Sequence, residues 1–213
     1  MRLAIAAIFA FFSVSLHAQL FTDNFCNGAS PLWNNYSGSW TTSGCTYFAT
    51  IPNNSPSATT EVPFELTDYT VTVTVNSLAD GGIWNRSDGT NQNGILLVLG
   101  GNGYGQGNRG GNAGKSIYWH IVQNGVASVP QSEVDGVFTP GQTYTITVRV
   151  SGNTYSAYIN GSSTPVTTLV NSTFASGRVG LYDDQPNTTT GTGSGDPTTF
   201  SNLILNAASL LTD

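Results

Sequence analysis

The chain is predicted to fold as an all-β sandwich of two antiparallel sheets, and three features of its sequence carry that expectation. In the last third, Tyr144, Ile146, Val148 and Val150 alternate with Thr143, Thr145, Thr147 and Arg149, the period of a strand with one buried face. Ser151, Gly152 and Asn153 then break the run with turn formers, and Tyr155, Ala157 and Ile159 resume it, which reads as a hairpin with one apolar face. Short runs of the same kind arrive at close intervals along the rest of the chain, and no segment reads as a helix.

The N-terminal eighteen residues come first and stand apart. Arg2 precedes an apolar centre from Leu3 to Val14, and Ala18 is a small residue at a plausible cleavage point, so residues 1–18 read as a secretory signal peptide. The apolar core is shorter than the roughly 20 residues a membrane span needs, so a secreted protein with no membrane insertion is expected. Residues 19–213 then form a single domain, a length usual for one sandwich. Export makes the two cysteines legible. Cys26 and Cys45 flank the first Trp-bearing segment, and an oxidising compartment favours a disulfide between them.

Strands are expected next within Phe64 to Leu78, where Tyr69, Val71, Val73 and Val75 alternate with Thr70, Thr72 and Thr74. Ile83 to Ser87, Ile95 to Leu99, Ile117 to Val122, Gln142 to Val150, Thr154 to Ile159, Val166 to Val170, Arg178 to Tyr182 and Phe200 to Leu205 follow. Two long loops interrupt them, Gly100 to Lys115 and Asp183 to Thr198, and loops of that length usually carry function or disorder.

Composition narrows the function classes. Hydrophobic residues make up 38% of the chain, enough for one core, whereas charged residues make up only 8%, so solubility rests on Thr, Ser, Asn and Gly. The formal net charge is -6 and Lys115 is the only lysine, so no basic groove can be assembled and nucleic acid is not an expected partner. The Gly-rich loop contains Gly105-Gln106-Gly107-Asn108-Arg109-Gly110, but a strand follows where dinucleotide binding would need a helix. Gly114-Lys115-Ser116 likewise lacks the first Gly of a P-loop, whose place is taken by Arg109.

Several segments resemble LamG-like domains of the concanavalin A-like lectin and glucanase superfamily. The resemblance rests on the Asn160-Gly161 turn, Gly177-Arg178-Val179-Gly180-Leu181, and Phe200-Ser201-Asn202-Leu203-Ile204-Leu205. Phe21-Thr22-Asp23-Asn24-Phe25, Trp33 and Gly38-Ser39-Trp40 look like the opening strands, so it covers nearly the whole of residues 19–213. It implies a jelly-roll order of strands and a glycan as partner. Ser201 departs from the pattern, because many relatives carry Asp beside the Asn. Gly82-Ile83-Trp84-Asn85-Arg86 is similar to a segment of keto-disaccharide-hydrolase-type domains.

Three functions stay open on these residues: a lectin-like carbohydrate-binding module, a glycan-cleaving hydrolase or lyase on the same fold, and a structural or adhesive surface protein. For binding, alternation turns Trp84 and Arg86 away from Ile83, and Tyr118 and His120 away from Ile117, Trp119 and Ile121, giving an expected solvent-facing platform of Trp84, Arg86, Tyr118 and His120. For catalysis, Glu133-Val134-Asp135 would place two carboxylates on one face of a strand, yet the third carboxylate of the glucanase pattern is missing. No cofactor is required. The loop after Tyr182 is either a solvated loop or a holder of calcium through Asp183, Asp184 and Asp196.

Overall fold

The computed structural model describes residues 17–50, 57–76, 78, 80–90, 92–101, 115–139, 141–184 and 197–208. In chain order its strands are β1 (His17–Asp23), β2 (Asn34–Ser37), β3 (Trp40–Ser43), β4 (Thr46–Ala49), β5 (Ala58–Glu61), β6 (Tyr69–Asn76), β7 (Gly81–Ser87) and β8 (Gly94–Leu99). They continue with β9 (Ile117–Gln123), β10 (Val126–Ala127), β11 (Gln131–Val134), β12 (Tyr144–Ser151), β13 (Thr154–Ile159), β14 (Thr167–Val170), β15 (Arg178–Asp183) and β16 (Thr199–Ala208). The first sheet runs β14-β13-β12-β6-β16-β4-β3, with β1 also on β16, and the second runs β10-β9-β8-β7-β15-β5-β2, with β11 also on β9. All these pairs are antiparallel, and the fold is the expected jelly-roll sandwich.

The first sheet is built by alternation. Burial along β6 switches at every residue, and β12 aligns with it so that Ile146 faces Val73 and Val148 faces Val71. Those side chains meet Ile83, Ile95, Leu97, Leu99, Ile117, Trp119, Val179 and Leu181 of the second sheet in one core. Ser151 pairs with Thr154 across Gly152 and Asn153, so the predicted hairpin closes where its turn residues stand. Alternation did not reveal β5, because Ala58-Thr59-Thr60-Glu61 has no apolar period and is buried throughout. The segment expected to be the signal peptide lies outside the described residues except for His17 and Ala18, which pair with Ala208 and Ala207.

Arg86 corrects the expected platform. Gly180 pairs with Trp84 and Arg178 with Ser87, so Asn85 and Arg86 together oppose Val179 in a β-bulge, and Arg86 takes φ 46°. The extra residue reverses the alternation, and the Arg86 side chain turns towards the core edge, where it is 3% exposed. Its Nε and Nη2 donate to the Thr67 carbonyl at 3.2 and 2.7 Å, Nη2 to the Gly152 carbonyl at 2.6 Å, and Nη1 to the Phe174 carbonyl at 2.7 Å. Nη1 also reaches the Tyr155 hydroxyl at 3.2 Å, and the guanidinium lies 5.3 Å from that ring's centroid. Gly177 allows the bulge, since a Cβ there would lie 2.4 Å from the Arg86 carbonyl carbon.

The cysteines are joined as expected, over a sequence separation of 19. Cys45 sits with Gly44 in the two-residue β3–β4 turn, where both have positive φ, the conformation that matches the twist of a tight hairpin. Cys26 follows Phe25, whose ring stacks on Tyr47 of β4 at 5.0 Å between centroids. The bridge therefore ties the end of β1 to the β3–β4 hairpin.

Two stability outcomes follow from these contacts. Replacing both Cys26 and Cys45 by Ser should lower unfolding free energy by on the order of 3 kcal/mol in chemical denaturation, as closure of a loop of this span implies. Arg86→Met strips the partner from three carbonyls at once and should cost about 3 kcal/mol or more. Arg86→Lys should recover only part of this, because one ammonium cannot span the three directions that the planar fork reaches.

Candidate functional site

Two surfaces compete for the role of site. The first is the outer face of the second sheet, where Trp84, Leu96 and His120 align across β7, β8 and β9, and Gly82, Val98 and Tyr118 form the neighbouring row. Trp84, Tyr118 and His120 thus share one face as expected. They do not face solvent: Trp84 is 1%, Tyr118 3% and His120 6% exposed. The physical reason is a second apolar cluster on this face, in which Trp84, Leu96, Val98, Tyr118, Val122 and Tyr182 bury one another. Trp84 meets Tyr182 edge-on at 6.3 Å, and Tyr118 meets His120 edge-on at 5.2 Å.

Polar groups are set into this layer. The carbonyl of Ser128 can only accept, so at 2.6 Å it fixes a proton on His120 Nδ1, while burial holds the imidazole pKa below its ordinary value. Glu61 pairs with Gly180, which pairs with Trp84, so the carboxyl and the indole flank a position with no side chain. Burial raises the Glu61 pKa, against the pull of Ser87 and Arg178, and neither its oxygens nor Trp84 Nε1 makes a hydrogen bond of ordinary geometry.

The remaining carboxylates fall into two groups. Asp80 and Asp184 come together at the rim: the Asp184 amide donates to the Asp80 carbonyl at 2.9 Å, and Tyr182 Oη donates to Asp184 Oδ2 at 3.2 Å. Burial first, and the Asp184 charge second, push Asp80 up to about 8. Asp183, the last residue of β15, lies by Thr198, where burial first and the Asp80 charge second raise its pKa, with Asp184 adding to them; Asp196 lies outside the described residues. Among the described residues no three His, Cys, Asp or Glu side chains gather to hold a metal. Glu133 and Asp135 flank the core-packed Val134 at the β9 edge, and Asp135 accepts from Ser116 Oγ at 2.7 Å. Five strand spacings separate β11 from β5, roughly 24 Å, well beyond the about 5–9.5 Å at which two carboxyls share a glycosidic bond. Glu61 therefore cannot complete the Glu133 pair.

The second surface is open. At the disulfide end a cleft of about 340 Å³ is lined by Ala29, Ser30, Trp33, Asn35, Trp40, Thr41, Thr42 and Tyr47. Three rings wall it: Tyr47 lies 5.1 Å from Trp40 and 5.5 Å from Trp33 between centroids. Their polar atoms are spent within the protein. Trp33 Nε1 donates to Asp23 Oδ2 at 3.0 Å, Trp40 Nε1 to the Ser37 carbonyl at 3.0 Å, and Tyr47 Oη to Asn35 Oδ1 at 2.6 Å. Tyr47 and Trp33 are themselves buried, at 1% and 8% exposure, so the ring left partly open to the cleft is Trp40. Thr60 Oγ1 also donates to Asn35 Oδ1, at 2.7 Å, so the exposed Asn35 amide is fixed with its Nδ2 donor outward.

Asp23 assembles this end. Its carboxylate accepts from the Phe25 amide at 2.8 Å, the Ser30 amide at 2.8 Å and the Trp33 indole. Sequence reasoning placed Trp33 and Trp40 in opening strands without joining them into a site. The available signal was the crowding of Trp33, Trp40 and Tyr47 around the two cysteines; what it lacked was the pairing of Asn35 with Thr60, which sets both against the Tyr47 hydroxyl of β4 in the facing sheet.

The buried acids give the fold a pH dependence of definite sign. Between 3.8 and about 8 the unfolded chain has released the Asp80 proton that the folded chain keeps, so each rise in pH over that window favours unfolding. Glu61 acts in the same sense above its ordinary 4.5, and Asp183 above its ordinary 3.8. His120 opposes them, adding stability as pH rises through its folded value to 6.5, where its contribution is complete. Melting temperature should consequently fall from pH 6.5 to 8, and Asp80→Asn should flatten that fall in a thermal-melt series.

No protein-family model matches the sequence, and no curated protein matches it. Solved structures do resemble it in fold. A carbohydrate-binding module, CBM66 from Bacillus subtilis, superposes with a TM-score of 0.62 at 17% identity, over 83% of this chain and 96% of the module. The Bacillus licheniformis beta-glucanase gives 0.59 at 13% identity over 90% and 99%. The exoplasmic/lumenal domain of VIP36, in a Ca2+/Man3GlcNAc-bound form, gives 0.57 at 11% over 86% of each chain. At these identities what is shared is the architecture: the chain has the concanavalin A-like jelly-roll fold on which carbohydrate-binding modules, lectins and glycan-cleaving enzymes are built.

Proposed function

We propose that the protein is a secreted carbohydrate-binding module that holds its glycan in the cleft between β2 and the β3–β4 hairpin. The observation that carries this reading is the pairing of one partly exposed indole, Trp40, with the outward Asn35 amide donor in an open cleft. A sugar ring offers the same two chemistries, a C–H face that packs on an aromatic plane and hydroxyls that need polar partners. The signal-like N-terminus, the disulfide and the uncharged Thr- and Asn-rich surface support an extracellular setting. Among the described residues no helix is long and apolar enough to cross a membrane.

One observation favours glycan cleavage as a second reading. Asp80 lies beside Asp184, and burial first with the Asp184 charge second push its pKa up to about 8, the kind of environment that suits a carboxyl to a general-acid role. Both readings meet in one experiment. A glycan array with the secreted chain should identify a ligand, and Trp40→Ala should weaken it at least about tenfold, a loss of roughly 1.4 kcal/mol, with no reducing sugar released by either protein. Unchanged affinity in Trp40→Ala would remove the cleft from the account. Reducing sugar released by the parent chain and abolished in Asp80→Asn would establish cleavage instead.

A further inference from the structure

We infer that the cleft selects neutral sugar rings and rejects uronic and sulfated ones, an inference that rests on the binding site just proposed. The argument begins with the supply of positive charge. The chain has six Lys and Arg residues, of which Arg2 and Arg109 lie outside the described residues. Arg86 is consumed by the Thr67, Gly152 and Phe174 carbonyls at the opposite end of β7. Arg149 lies over the Tyr158 ring, and Arg178 stands beside Glu61, which draws on its charge. Lys115 precedes β9, whose distance from β2 across the second sheet is five strand spacings, roughly 24 Å. None of the four described basic residues lines the cleft.

Negative charge, in contrast, stands behind its wall. Asp23 lies directly behind Trp33, bonded to the indole nitrogen, and its carboxylate is the group around which residues 25–33 are folded. A bound carboxylate or sulfate would meet this charge with no cation among the described lining residues to offset it. A neutral ring meets no such penalty. Its oxygens find the Asn35 amide and the hydroxyls of Ser30, Thr41 and Thr42, and its apolar face finds the partly exposed Trp40. The volume, about 340 Å³, is at the lower end for ligand pockets and fits a site for one ring of a longer chain rather than a groove for several.

The test uses the secreted full chain, isothermal titration, and two sets of probes. One set is neutral gluco-, manno- and fructo-oligosaccharides; the other is oligosaccharides of alginate and polygalacturonate. The expected result is binding of a neutral probe that is insensitive to salt, at least about tenfold tighter than any uronate, and lost in Trp40→Ala. Thr41→Lys, an exposed substitution on the cleft wall, should add salt-sensitive uronate binding while keeping the fold, as checked by its melting temperature. Tighter binding of a uronate by the parent chain, lost in Trp40→Ala, would overturn neutral selectivity while leaving the cleft as the site. Binding of any probe that survives Trp40→Ala unchanged, or no binding at all, would overturn both.

Discussion

A single guanidinium holds the two sheets of this sandwich in register at one end. Arg86 belongs to the second sheet, yet three of its acceptors lie elsewhere: the approach to β6, the β12–β13 turn and the loop before β15. A buried charge is costly unless its donors are filled. Here the fork fills itself with backbone carbonyls that would otherwise need water, and the ring of Tyr155 covers its face. The β-bulge in β7 is what makes this geometry available. Without the extra residue Arg86 would point to the outer face, and the loops at that end would lose their common partner.

The opposite end is organised on different chemistry. Asp23 gathers two backbone amides and one indole, and the disulfide pins the hairpin that carries Tyr47. The effect is a preorganised wall: Trp33 and Tyr47 are buried with their polar atoms committed inward, and Trp40, packed on Tyr47, is the ring left partly open to a ligand. Rigid placement of this kind lowers the entropic cost of binding. Between the two ends the outer face of the second sheet forms a further apolar layer with acids embedded in it, which links stability to pH rather than offering an open surface.

Much of the fold was legible in the sequence because alternation is a direct record of a sheet with one wet face. Tyr69 to Val75, Tyr144 to Val150 and Tyr155 to Ile159 read correctly for that reason. Alternation also placed Trp84, Tyr118 and His120 on one face. It could not report that this face is itself buried, because a second apolar cluster and an exposed aromatic strip have the same period. Arg86 was misassigned because a bulge shifts the phase by one residue and leaves no local mark in Gly-Ile-Trp-Asn-Arg-Ser. The cleft escaped notice because its residues come from the segment before β2, from β2 itself and from the β3–β4 hairpin, which are joined only by long-range contacts such as Tyr47 with Asn35 across the sandwich.

β8 reads Gly-Ile-Leu-Leu-Val-Leu and is buried at every position, with Ile95, Leu97 and Leu99 in the main core and Leu96 and Val98 in the outer cluster. The two sheets therefore differ in how much sequence change they tolerate. In β6 and β12 every second residue, largely Thr, lies on the wet side and can be exchanged among polar types at little cost. β8 has no such side, so a polar residue at any of its positions would enter a dry layer. Variation that redesigns the surface of this protein is open to the first sheet, the loops and the edge strands β2, β10 and β11, while β8 at the middle of the second sheet can change only by exchanging one apolar shape for another.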